Sequence, residues 1–63
     1  MLKNITLYFT SRYANLTLET THIDDVIRIL SKLYDIYGTY DVSYSVVEYY
    51  KDNTSKTIID YAG

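Results

Sequence analysis

The side chains that could do chemistry in this chain are few: one histidine, His22, an adjacent pair of carboxylates, Asp24 and Asp25, and nine tyrosines. Histidine is the side chain most used as a general base at neutral pH, and His22 is the only one here. It would act as a general base only beside a nucleophile and an orienting group, and no serine stands in a nucleophile-elbow context. It therefore reads as a loop residue at a helix start. Asp24 and Asp25 are compatible with a hard cation, which one or two carboxylates often hold. Neighbouring residues on a helix point about 100° apart, however, and acids in a first turn already compensate the helix dipole. With Gly38 and Gly63 as the only glycines, no phosphate-binding loop can be built. The absence of cysteine removes disulfides and thiolate zinc sites. No catalytic residue, cofactor or metal is expected.

The tyrosines are what remains. There is no tryptophan and one phenylalanine, so nine of the ten aromatic side chains carry a hydroxyl. A tyrosine gains by burying its ring but needs a partner for its buried oxygen, so tyrosines collect where one end is dry and the other wet. Such places are domain rims and interfaces, where aromatics are enriched among the residues that dominate binding.

The hydropathy pattern gives the strands and the helix that carry these side chains. From Leu2 to Thr10, Ile5, Leu7 and Phe9 alternate with Asn4, Thr6, Tyr8 and Thr10, the period-two signature of a half-buried strand. Tyr13 to Glu19 alternates again, with Ala14, Leu16 and Leu18 opposing Tyr13, Asn15, Thr17 and Glu19, so the two runs read as a hairpin. The period then changes. Thr21 is placed to cap a helix with Asp24 three residues on, and Ile23, Val26, Ile27, Leu30, Leu33 or Tyr34, and Tyr37 form a stripe that Ile29 and Ile36 widen. Gly38 ends it. Asp25, Arg28, Lys32 and Asp35 form a solvated polar face with weak ion pairs. Alternation returns from Tyr40 to Tyr50, with Tyr40, Val42, Tyr44, Val46 and Glu48 on one face. Asp52 and Asn53 supply a hairpin turn, and a last strand follows from about Ser55 to Tyr61, with Thr57, Ile59 and Tyr61 assigned inward. The fold class is thus α+β: a four-stranded antiparallel sheet in the order β-β-α-β-β, one helix packed on one face, and one small domain over residues 1–63.

One helix covers one face of such a sheet, leaving the other wet or shared. Tyr34, Tyr44 and Tyr61 are expected to finish the edge of the core, and Tyr37 fits either group. Tyr8, Tyr13, Tyr40, Val47, Tyr49 and Tyr50 are the candidate partner-binding residues. A domain this short buries only about 60% of its unfolded surface, and with disulfides and metals excluded, self-association is the expected source of further stability.

Six basic and eight acidic side chains give a net charge of −2. Lys3, Arg12, Arg28, Lys32, Lys51 and Lys56 are scattered and do not form the basic stripe of a nucleic-acid binder. No apolar run reaches the roughly 18 to 20 residues of a membrane span, and Met1-Leu2-Lys3-Asn4 lacks a signal-peptide core. A cytoplasmic protein is expected, with its three N-x-S/T triplets by-products of composition. The expected function is that of a small non-enzymatic protein-binding module. It would be a homodimer resembling, in size and style, the compact inhibitors that viruses and mobile elements direct against host proteins, placed in the host cell cytoplasm. Two alternatives accompany this reading: a single-stranded nucleic-acid binder stacking bases on Tyr8, Tyr13 and Tyr49, and a subunit of a structural assembly.

Overall fold

The computed structural model describes all residues, 1–63. Five elements follow the expected order: β1 (Leu2–Thr10), β2 (Asn15–Thr20), α1 (Ile23–Tyr37), β3 (Ser43–Tyr50) and β4 (Ser55–Ala62). The strands form one antiparallel sheet in the spatial order β2-β1-β3-β4. No helix is long and apolar enough to cross a membrane.

The apolar phase of β1 sets the core. Ile5, Leu7 and Phe9 are almost fully buried and meet Val26, Leu30 and Leu33 from α1, with Val42 and Val46 completing the cluster. Register aligns this face across the sheet: Leu7 lies opposite Leu18 on one side and Val46 on the other, and Phe9 lies opposite Leu16 and Tyr44. Both chain ends are tied, since the Lys51 N–H donates to the Met1 carbonyl (2.9 Å) and the Gly63 N–H to the Val42 carbonyl (2.8 Å).

Several local expectations change. The second strand begins at Asn15, because the Ser11 hydroxyl accepts the N–H groups of Tyr13 (3.2 Å) and Ala14 (3.0 Å) and holds both in a turn. The helix N-cap is His22 rather than Thr21, without a side-chain cap. Thr20 secures the helix start instead, since its hydroxyl accepts from the His22 N–H (3.1 Å) and donates to Asp25 (2.7 Å). The third strand begins at Ser43, because Gly38 (φ 71°) and Asp41 (φ 58°) turn the chain through a loop. In the helix stripe, Ile36 and Ile27 remain 69% and 54% exposed, since the sheet lies under the Val26–Leu30–Leu33 line.

The last strand holds the largest departure. Val46 pairs with Ile59 but Val47 pairs with Thr57, so Ile58 is an extra residue, a β-bulge in β4. Ile59 and Tyr61 face the helix as expected. Thr57 does not: the bulge reverses the phase, placing Thr57 with Val47 on the open face and Lys56 with Glu48 on the helix side.

Candidate protein-binding face

The face of the sheet away from α1 carries the second phase of each strand. On β1 these are Asn4, Thr6, Tyr8 and Thr10; on β2, Asn15, Thr17 and Glu19; on β3, Ser43, Ser45, Val47 and Tyr49; on β4, Ser55, Thr57, Asp60 and Ala62. Hydroxyls and amides dominate it. Its charges at paired positions, Glu19 and Asp60, are acidic and lie on the two edge strands; no lysine or arginine stands at a paired position of this phase, and Lys3 is the unpaired, exposed residue of a bulge between Leu2 and Asn4 at the end of β1.

Tyr8 and Tyr49 organise its centre. Tyr8 lies opposite Ser45 and Tyr49 opposite Asn4, with the Thr6–Val47 pair between them. Four residues of strand separate the two tyrosines, roughly 13 Å at the usual strand rise. Their side chains span this gap from opposite ends, and the hydroxyls meet at 2.6 Å. The rings therefore arch over Thr6 and Val47. Thr6, formally on the outer face, is only 2% exposed and satisfies its hydroxyl by donating to the Asn4 side chain (3.1 Å). The hydrogen bond to Tyr49 raises the Tyr8 pKa above its ordinary value, because the Tyr8 proton is held in that bond.

Of the six candidate residues, the fold brings Tyr8, Val47 and Tyr49 together. Tyr13 and Tyr40 are displaced from the sheet by the two loop changes described above and stand 80% and 83% exposed. They share a separate cleft of about 210 Å³ with Tyr37, at the end of the sheet where Arg12 pairs with Asp41 across two loops. Tyr50 is in phase with Val46 and Glu48 and so lies on the helix side. Its hydroxyl donates to the Glu48 carboxylate (2.7 Å), and that bond raises the Tyr50 pKa.

A third group closes the core. Tyr44 stacks on Tyr61 (centroids 5.2 Å) and meets Tyr34 edge to face (5.9 Å), where the Tyr34 and Tyr44 hydroxyls bond to each other. That bond, with burial, pushes the Tyr44 pKa up to about 12. The core-edge assignment of Tyr34, Tyr44 and Tyr61 holds in the structure.

Thr6 and the hydroxyl row Ser43, Ser45 and Thr57 were not singled out by sequence. Alternation marks Thr6 as exposed, and only the pairing of β1 with β3, which brings residues 8 and 49 together, reveals the arch above it. Asp25 bonds Thr20 and lies 3.6 Å from Arg28, and no three carboxylate or imidazole groups converge.

No protein-family model, curated protein or solved structure matches this chain, so the reading of its function rests on its own geometry.

Proposed function

We propose that this chain is a non-enzymatic protein-binding module that self-associates and presents its open sheet face to a protein partner. The observation that carries the reading is the make-up of that face: tyrosine, serine, threonine and asparagine around a preorganised Tyr8–Tyr49 pair, with no cation at any paired position. Antibody paratopes use the same palette. Tyrosine supplies large amphipathic contact area with few rotatable bonds, and small hydroxyl and amide side chains supply adaptable hydrogen bonding. Joining the two phenols in advance lowers the ordering cost of docking.

The same inventory argues against single-stranded nucleic acid as the partner. A stacking surface for bases works together with lysines and arginines along the backbone path, and here the face offers Glu19 and Asp60 instead. Tyr13, the third proposed platform, is off the face. A host protein as target, and a virus or mobile element as source, is supported by the small, cysteine-free, acidic composition.

Replacing Tyr8 and Tyr49 together by alanine tests the reading. Capture from host cells with the native chain, followed by mass spectrometry, is expected to retain a protein that the double variant loses while circular dichroism stays unchanged. Equal capture by both would end the assignment of this face. A partner that proved to be an oligonucleotide, released steeply by salt, would replace the reading with the nucleic-acid one.

A further inference from the structure

The two edges of the sheet are built differently. Edge strands expose unpaired backbone groups that recruit other strands, and proteins blunt them with bulges and inward-pointing charges. β4 carries both devices: the bulge at Ile58, and Lys56 turned to the helix side. β2 carries neither. Its register with β1 runs unbroken from Ile5↔Thr20 to Thr10↔Asn15, and its one charge, Glu19, points to the open face. Leu16, on the helix side of β2, is 38% exposed. Further along the strand a cleft of about 250 Å³ opens between β2 and α1, with Leu18 and Ile29 among its lining residues.

We infer that β2 is the seam of a homodimer, pairing antiparallel with β2 of a second copy about a two-fold axis through Thr17. This deepens the self-association in the proposed function by naming its surface. Two identical antiparallel strands keep their faces aligned only when the axis passes through a residue, because side chains alternate with period two. An axis at Thr17 sets Leu16 opposite Leu18 of the second copy on the helix side, at the mouth of the cleft beside Ile29. On the open face it sets Asn15 opposite Glu19, so no like charges meet. An axis at Leu18 would instead oppose Leu16 to Thr20, whose hydroxyl is already engaged by His22 and Asp25. The pairing joins two four-stranded sheets into one of eight strands. The two Tyr8 residues, each opposite Thr17 in its own copy, then stand three strand spacings apart, about 14 Å, on one continuous face. A six-residue seam falls in the small, transient class of interfaces, so the dimer depends on concentration.

The absence of cysteine makes the test clean. Sedimentation of the native chain is expected to show a monomer–dimer equilibrium. Thr17→Cys should form a covalent dimer under mild oxidation, whereas Thr57→Cys on the opposite edge should form no covalent dimer. Leu16→Lys should raise the concentration at half-dimerisation by about tenfold or more, with its circular dichroism unchanged. A dimer that cross-links through Thr57→Cys and ignores Leu16→Lys would overturn the seam while leaving self-association standing. A native chain that stays monomeric throughout would overturn both.

Discussion

A phenol that leaves water must replace the hydrogen bonds it gives up, and this chain does so by setting tyrosines against one another. Tyr34 and Tyr44 do this at the part-buried edge of the core, while the hydroxyl–hydroxyl contact of Tyr8 with Tyr49 on the other side of the sheet is an exposed one. The sign of the pH effect follows from Tyr44. Its folded pKa of about 12 exceeds the ordinary 10.0, so the native state holds this proton more tightly than the unfolded chain does. The stabilisation is complete below the ordinary tyrosine value and is lost as pH rises through the folded one. Chemical denaturation is therefore expected to give a flat stability profile at neutral pH and a fall between those two values, with Tyr34→Phe making the fall shallower. A profile indifferent to Tyr34→Phe would contradict the role given to that bond. Much of this scale was legible beforehand: the phase of Tyr44, its nearness to the helix end and the apolar set of the last strand placed Tyr34, Tyr44 and Tyr61 at the core edge. Thr6 was not legible, because its burial is produced by a contact between residues 41 positions apart.

At the level of elements, the strands and helix arise from clean periodicities, and the places where reading failed are those where a side chain or a backbone torsion overrides the period. Ser11 captures two backbone N–H groups and delays β2. Gly38 and Asp41 bend the chain and delay β3, so that Tyr13 and Tyr40 lie in loops and not in the sheet. Gly38 adopts φ 71° and ψ −157°, a region that glycine alone occupies without strain, and its N–H closes the helix on the Tyr34 carbonyl. A β-carbon there would meet no atom within 4 Å. The cost of Gly38→Ala is then torsional, about 1 to 3 kcal/mol, and should appear in urea denaturation without loss of the native spectrum. Thr20→Ala removes both the bond from the His22 N–H and the bond to Asp25, and is expected to cost about 1 kcal/mol by the same measurement. Thr21→Ala should cost little, since Thr21 caps nothing; the reverse ranking would return the capping role to Thr21.

For the molecule as a whole, small size makes every core residue matter. At the usual 0.05 to 0.15 kcal/mol per residue, a chain of this length is stable by roughly 3 to 9 kcal/mol. Leu7 is fully buried at the centre of the sheet, and Leu7→Ala is expected to remove about 2 to 5 kcal/mol, enough to lower the thermal midpoint sharply or unfold the chain. The fold class was readable because four strands and one amphipathic helix leave few ways to bury these stripes. The strand order was not, since β1 reaches β3 across a strand, a helix and three connections. Neither was the bulge, whose signature is only the adjacent pair Ile58-Ile59. That one inserted residue bears on how far assembly can proceed. A molecule with a single cohesive edge stops at two copies, a closed unit; a molecule with two cohesive edges can add copies without end. Deleting Ile58 would straighten the last strand while leaving Ile59 opposite Val46 and Lys56 opposite Glu48, and Lys56→Val would then remove the charge that still guards this margin. Light scattering that grows with time for the combined variant, beside a constant native signal, would show that these two residues act as chain terminators for polymerisation.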